Sequence, residues 1–187
     1  GYRKAWINAS DYQRRKNEYT SKSDEAKEII DPPKRNLELD TLAGVLDGEI
    51  LVQNHCYRAD EMAMMIEMSK EFDYKITAFH HAVEAYKIAD LLADEGICGA
   101  LWADWWGFKH EAYDMVPANI AIVDQARGGK GCAIVHSDDE VGIQHLNQEA
   151  AKALSAGLRA GYEISKARAI KWITSNPAKA AGILDQT

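Results

Sequence analysis

The strongest constraint on the fold of this chain is a set of four short apolar runs, each followed by a helical pattern. Three of the four contain β-branched residues. The runs cover residues 50–54, 75–79, 98–103 and 132–135. The helical patterns that follow them cover residues 59–72, 83–95, 111–126 and 146–160. Strands that alternate with helices at this spacing predict parallel βα units, because a parallel strand is regained only through a crossover connection.

Four βα units make half of an eight-stranded barrel, which usually takes about 250 residues. The pattern therefore predicts an α/β fold, a parallel (β/α) half-barrel. Periodicity alone leaves an open, doubly wound sheet as the alternative. Two further helices are predicted at residues 164–172 and 177–181, with Asn176 as the N-cap of the second and Pro177 at its first position.

The first 36 residues differ from the rest of the chain. Residues 1–18 are highly charged but space Tyr and Trp side chains on one helical face, which predicts an amphipathic helix. Residues 20–36 are polar and contain two consecutive prolines, which predicts a linker. We therefore divide the chain into a charged helical lead and linker (1–36) and a half-barrel (37–187), which opens with a helix at 37–46.

Composition narrows the function classes. With 29 acidic and 22 basic residues the net charge is −7, which argues against a nucleic-acid partner. No apolar run approaches the roughly 20 residues of a membrane-spanning helix, so we expect no membrane partner. The three cysteines, Cys56, Cys98 and Cys132, are odd in number and widely spaced. This argues against disulfides and favours a reducing cytoplasm.

Residues suited to metal binding or catalysis follow each apolar run. The first run leads to His55, the second to His80 and His81, the third to Asp104, and the fourth to the segment 136–139, which reads His-Ser-Asp-Asp. Functional groups of parallel α/β folds collect where strands end, and imidazole and carboxylate groups bind divalent metals such as zinc. The spacing therefore indicates a metal or catalytic site at the strand ends.

These residues lie in motifs that resemble a known family. The motifs, in chain order, are His-Cys-Tyr-Arg-Ala-Asp-Glu (55–61), Phe-His-His-Ala-Val-Glu-Ala-Tyr-Lys-Ile-Ala (79–89), Ala-Asp-Trp-Trp-Gly-Phe-Lys (103–109), Ser-Asp-Asp (137–139), Leu-Asn-Gln-Glu-Ala-Ala-Lys (146–152) and Thr-Ser-Asn-Pro-Ala-Lys (174–179). Together they resemble the imidazolonepropionase-like and prolidase-like branch of the amidohydrolase superfamily over nearly the whole chain.

The resemblance implies a metal-dependent (β/α)₈ barrel that hydrolyses a C–N bond with metal-activated water. It implies that His55, His81 and Asp138 hold zinc or another divalent metal, and that Asp138 also moves the catalytic proton. His81 is preferred to His80 because the family usually has Gln at the position of His80. The family's His-x-His pair is not found in residues 1–187, so we expect this chain to be the C-terminal half of such a barrel, incomplete at both ends.

The remaining candidates would contact a small-molecule substrate. Arg58 is expected either to grip a substrate carboxylate or to pair with Asp60 or Glu61. Asp104 and Lys109 are expected to pair with one another. The candidate substrate-binding residues are Tyr57, Arg58, His80, Asp104, Trp105, Trp106 and His136.

Two other interpretations stay open at this stage. One is a catalytically inactive half-barrel that self-associates into a homo-oligomer through exposed strand edges. The other is an open α/β domain that binds a small ligand at the same strand ends.

Overall fold

The computed structural model describes residues 1–186 of the chain. Within it the chain folds into two compact units. The first consists of Gly1–Leu51 and Glu67–Lys75, and the second of Val52–Ile66 and Ile76–Thr187.

The first unit begins with three helices, α1 (Tyr2–Thr20), α2 (Asp24–Lys27) and α3 (Leu37–Leu46). The predicted helices at 1–18 and 37–46 are therefore present. The hydroxyl of Tyr12 on α1 donates a 2.8 Å hydrogen bond to a carboxylate oxygen of Asp40 on α3. This bond joins the two longer helices of the unit.

The predicted linker at 20–36 contains a short helix, α2, which the sequence reasoning missed. Ser23 supplies the N-cap, since its hydroxyl accepts a hydrogen bond from the backbone N–H of Ala26. The two prolines at 32 and 33 lie outside any helix, since a proline cannot occupy the interior of a helix without the loss of a backbone hydrogen bond.

The remaining helices and strands alternate along the chain. They are β1 (Val52–Cys56), α4 (Ala59–Glu71), β2 (Ile76–His81), α5 (Ala89–Asp94), β3 (Cys98–Leu101), α6 (Asn119–Gly129), β4 (Cys132–Val135), α7 (Leu146–Arg159), α8 (Lys166–Ile170) and α9 (Ser175–Ala180). Short 3₁₀ helices lie at Ala85–Ile88, His110–Ala112, Gly142–His145, Lys171–Ile173 and Leu184–Gln186.

Within the described residues the four strands form one parallel sheet in the order β1-β2-β3-β4. In a (β/α) barrel the strands lie side by side in the order in which they follow one another in the chain. In a doubly wound sheet the strand order reverses at a switch point. The order confirms the parallel α/β half-barrel and removes the doubly wound alternative.

The first two strands extend further than predicted. Strand β1 continues through His55 to Cys56, and β2 continues through His80 to His81. Both ends are held in the parallel ladder, where His55 pairs with His80 and Cys56 with His81. Apolar runs underestimate the length of such strands, because residues with polar side chains can continue the backbone pairing. The reverse holds for β3, which ends at Leu101 rather than at residue 103.

Three predicted helices differ from those observed. The helix expected at 83–95 is a 3₁₀ turn followed by α5. The helix expected at 111–126 begins only at Asn119, because Pro117 disfavours helical backbone in the residue before it. Asn176 is not an N-cap but lies inside α9, where its side-chain amide donates a 2.7 Å hydrogen bond to the carbonyl of Ala133 on β4.

The helices α6 and α8 are joined by an ion pair whose acidic member is buried and whose basic member is partly exposed. Asp124 on α6 is fully buried, and its carboxylate accepts hydrogen bonds from Nε of Arg168 at 2.9 Å and from Nε1 of Trp172 at 2.8 Å. Arg168 also donates to the carbonyl of Gly129 at 2.7 Å. The pair thereby satisfies backbone oxygens at the end of α6 that the helix itself leaves free.

The expectation of reduced, unpaired cysteines is wrong for two of the three. Cys98 on β3 and Cys132 on β4 form a disulfide, while Cys56 is free and buried. The two bonded residues are 34 positions apart in sequence, but the parallel register places them opposite one another with Cα atoms 4.5 Å apart. Sequence spacing could not show this, because the register between strands is set by the fold.

A membrane-spanning segment is not found among residues 1–186, where every helix is too short or too polar to cross a bilayer.

Candidate functional site

Four histidines gather at the carboxyl ends of β1, β2 and β4. They are His55, His80, His81 and His136. Nδ1 of His55 lies 2.7 Å from Nε2 of His81, close enough for one proton to be shared between the two rings. The ring centres of His81 and His136 are 5.2 Å apart, as are those of His55 and His80. The sheet thus unites side chains that lie up to 81 residues apart in the chain.

The backbone at two site residues is unusual. His81 has φ +67° and Asp138 has φ +54°, in the left-handed region that non-glycine residues rarely adopt. Alternation along a strand would point His80 and His81 to opposite faces of the sheet. The left-handed turn at His81 ends that alternation, and both rings contact His55. Backbone strain of this kind is typical of functional sites.

Burial favours the neutral form of three of these imidazoles. It lowers the pKa of His136 to about 3 and that of His81 to about 4, although the carboxylate of Asp138 opposes the shift at His81. Burial also lowers the pKa of His80. Nε2 of His136 and Nδ1 of His81 are buried and find no hydrogen-bond partner among residues 1–186. Burying two polar nitrogens without hydrogen-bond partners lowers the stability of the fold, and folded proteins rarely do so in adjacent rings.

Asp138 lies at the edge of this group. Its carboxylate oxygen is 3.7 Å from Nδ1 of His81, and its side chain is 55% exposed. His55 and Asp138 therefore approach opposite nitrogens of the same His81 ring. The carboxylate of Asp138 is therefore open to solvent, while the ring of His81 is buried.

We tested whether these residues fit a divalent metal. Within residues 1–186, no three His, Cys, Asp or Glu side chains are already arranged around a common point. However, the facing nitrogens of His55 and His81 are donors of the type that zinc prefers. Zinc–nitrogen bonds of about 2.0–2.1 Å at a tetrahedral angle separate two such nitrogens by about 3.3 Å. The observed 2.7 Å requires the rings to open by about 0.6 Å, so these two residues fit a metal as a pair of ligands.

An aromatic wall flanks the histidines, and its central residue was missed by the sequence reasoning. Trp102 is 3% exposed and stacks on His136 with ring centres 5.1 Å apart and on Trp105 with ring centres 5.6 Å apart. Its indole Nε1 donates a 3.0 Å hydrogen bond to the carbonyl of Ser137. Trp102 therefore holds the loop that carries Asp138. It was overlooked because the predicted third strand included it.

Of the two candidate residues on the loop after β1, Tyr57 contacts the histidines and Arg58 forms an ion pair with a nearby residue. The ring of Tyr57 stacks on His81 with centres 5.1 Å apart. Arg58 forms two hydrogen bonds with Asp60, from Nε at 3.0 Å and from Nη2 at 3.3 Å. Of the two expectations for Arg58, the structure therefore shows the local ion pair, with Asp60.

The loop after β3 departs from prediction in its ion pairs. Asp104 pairs with Lys152 at 3.0 Å and not with Lys109. Lys109 instead lies over the ring of Tyr57, with Nζ 4.1 Å from the ring centre. Trp106 is 58% exposed and contacts Tyr113, away from the stacked wall of Trp102 and Trp105.

Two buried polar residues that position the site were also missed. The side-chain amide of Asn119, 1% exposed, bonds three backbone groups in the segment after β2. The carboxylate of Glu84 accepts from the backbone N–H of Ala59 at 2.9 Å, while its own N–H donates to the carbonyl of Tyr57. These bonds tie together the loops that follow His55 and His81. Only a view of the assembled loops reveals this role.

The fold and the site define an α/β half-barrel with an imidazole-rich rim at its strand ends. Comparison with known proteins extends this description. No family model matches the chain. The chain is 30% identical over 164 residues, 84% of its length, to the amidohydrolase tasK of Hapsidospora irregularis, and it spans 16% of that protein.

A crystal structure of an amidohydrolase from Thermotoga maritima MSB8 matches 98% of the chain with a TM-score of 0.77 and 24% identity. The match covers 44% of that chain, as expected for a half-barrel, and at this identity it establishes the fold. The similarity to the tasK protein supports the amidohydrolase superfamily. Neither comparison distinguishes the imidazolonepropionase-like or prolidase-like branch.

Proposed function

We propose that this chain forms part of the active site of a metal-dependent hydrolase of the amidohydrolase superfamily, in its imidazolonepropionase-like or prolidase-like branch. The observation that carries the proposal is the facing pair His55 and His81 at adjacent strand ends, with nitrogens 2.7 Å apart. The substrate is a small molecule with a C–N bond, either a cyclic amide or a dipeptide-like compound.

His55 and His81 would hold the metal through the nitrogens that face one another. Asp138 approaches the other nitrogen of His81, so it would join them as a metal ligand only after a change in its loop. The chemistry that zinc supplies in such sites is polarisation of a carbonyl and a lowered pKa of water. The lowered pKa of His81 supports this role, because a neutral imidazole keeps a lone pair for a metal at neutral pH.

Asp138 is the proposed catalytic residue. Its exposed carboxylate can take a proton from the attacking water and return it to the leaving nitrogen, a transfer worth about 10²–10⁴-fold in rate. Tyr57, Trp105 and the neutral His136 would line the space where substrate binds, and the unpartnered Nε2 of His136 is available for a hydrogen bond. His80 is less suited to binding substrate, since its Nε2 already bonds Gln53 at 2.7 Å.

Metal binding tests the assignment directly. The 187-residue chain is stripped of metal, titrated with Co²⁺ and Zn²⁺, and followed by absorption and by metal analysis. We expect His81→Ala to lose the bound metal, while His145→Ala, which removes an exposed histidine of a 3₁₀ helix, keeps it. Equal metal content in His81→Ala and in the unmodified chain would refute the assignment.

The strand edges support a second proposal, self-association into a homo-oligomer. Strands β1 and β4 each pair on one side only within the described sheet, and unpaired edges favour pairing with another chain. Sedimentation velocity over a hundredfold range of concentration tests this. A monomer throughout that range would refute it.

A further inference from the structure

Lys109 is a basic residue that lies near the histidines and has no role in the site described above. It belongs to the loop after β3, and its ammonium lies 4.1 Å from the ring centre of Tyr57 and 5.2 Å from that of Phe108. Because Tyr57 in turn stacks on His81 at 5.1 Å, the ammonium is within about 9 Å of the His81 ring. The positive charge is therefore beside the histidine cluster.

This charge is not neutralised by the chain. In the part of the chain that the structure describes, no carboxylate lies within 4 Å of Lys109, whereas the other basic residues around the strand ends are paired. These pairs are Arg58 with Asp60, Lys87 with Asp114, and Lys152 with Asp104. Lys109 therefore differs from these three neighbours in keeping its full positive charge beside the site.

The aromatic contacts hold the ammonium without neutralising it. A cation over an aromatic face gains about 0.5–1 kcal/mol at an exposed site, and the full charge remains available to an anion. A carboxylate would form a stronger, charge-assisted hydrogen bond with the same group. The rings of Tyr57 and Phe108 thus restrict where the ammonium lies while leaving it free to bind.

We propose that Lys109 binds a carboxylate group of the substrate and thereby selects anionic over neutral amides. The inference rests on the proposed hydrolase function, because it assumes that the ligand is a substrate. The binding of a carboxylate by Lys109 itself needs no metal. Arg58, the sequence-based candidate for this role, is occupied by Asp60. The neighbouring rings of Trp105 and Phe108, with centres 5.4 Å apart, offer an apolar surface for the rest of such a ligand.

A pair of matched ligands tests the proposal. N-acetylphenylalanine carries a carboxylate, and N-acetylphenylalaninamide replaces it with a neutral amide of nearly the same shape. Binding to the full chain is measured by calorimetry and tryptophan fluorescence in the presence of a chelator, so that no metal can hold the carboxylate. We expect the acid to bind at least about tenfold more tightly than the amide, the range of one hydrogen bond to a charged group.

Variants then assign the preference to one residue. Lys109→Met is expected to bind both ligands equally, and Lys109→Arg to keep the preference for the acid. Lys152→Met removes a lysine that is already paired with Asp104 and should leave the preference unchanged. Lys109 is exposed, so its replacement should not affect folding, which circular dichroism checks.

Three results would overturn the proposal: no binding of the acid, equal binding of the two ligands by the unmodified chain, or a preference that survives in Lys109→Met. Failure of the hydrolase proposal would be seen separately, as metal content that does not depend on His81. Lys109→Met should keep the metal content of the unmodified chain, so the two experiments fail independently.

Discussion

Replacing Asp124 by Asn should destabilise the second unit by about 3–5 kcal/mol, because it removes one partner of a buried ion pair. Asp124 is fully buried, and the side chain of Arg168 is 29% exposed. Asn keeps the shape of the residue but leaves the guanidinium of Arg168 without its counter-charge. The hydrogen bond from Trp172 to the carboxylate, 2.8 Å long, would also weaken.

The chain provides a matched control in an exposed pair of the same type. Asp94 accepts from Arg127 at 2.6 Å, with both side chains 49% exposed. Water screens this pair, so Asp94→Asn should change the urea midpoint far less than Asp124→Asn does. Both variants are unfolded in urea and followed by tryptophan fluorescence. If Asp124→Asn lies within about 1 kcal/mol of Asp94→Asn, burial does not govern the strength of this pair and our reasoning fails.

Three further predictions concern the disulfide, acid stability and a positioning residue. Reduction of the Cys98–Cys132 bond, which closes a loop of 34 residues, should lower the free energy of unfolding by about 3–4 kcal/mol, and an unchanged urea midpoint in dithiothreitol would contradict the bond. Burial lowers the pKa values of His81 and His136, so the unfolded chain binds more protons than the folded one between pH 6.5 and about 3. The contribution of these two histidines to the free energy of unfolding should therefore be complete above pH 6.5 and should fall on acidification, by at most about 1.4 kcal/mol per pH unit for each group. His136→Gln should make the urea midpoint depend less steeply on pH. Asn119→Ala should cost about 2 kcal/mol or more, because buried backbone groups after β2 lose their partners, and hydrogen exchange in that segment should rise, whereas unchanged exchange would exclude a positioning role.

The repeating βα pattern predicted parallel βα units but left the barrel and the doubly wound sheet both open, and the family resemblance favoured the half-barrel. The observed strand order, which follows chain order, excludes the doubly wound sheet. His55 and His81 were selected as candidates because functional groups follow strands and because the resemblance implied them. The exact strand ends were not predictable from apolar runs, since β1 and β2 continue through polar residues that the ladder pairs. Local pattern therefore predicts which elements exist better than where they stop.

Contacts between distant segments were beyond the sequence reasoning. Cys98 and Cys132 meet through register, and Asp124 meets Arg168 across 44 positions of chain. Trp102 has no local signature, because a tryptophan at the end of an apolar run is equally typical of a core residue. These residues could be recognised only once the sheet placed its strand ends side by side.

The neutral, strained histidine cluster is most simply explained by a ligand that compensates its cost. Holding His81 and His136 in neutral form lowers stability in acid, leaving two ring nitrogens unpartnered costs further free energy, and the left-handed backbone at His81 adds strain. A structural core has no reason to gather these three costs in one place. A ligand that accepts imidazole lone pairs stabilises the folded state in proportion to its binding and offsets them together. Lys109 lies beside the cluster and has no carboxylate partner among residues 1–186, so it offers a positive charge to an anionic ligand at the same strand ends.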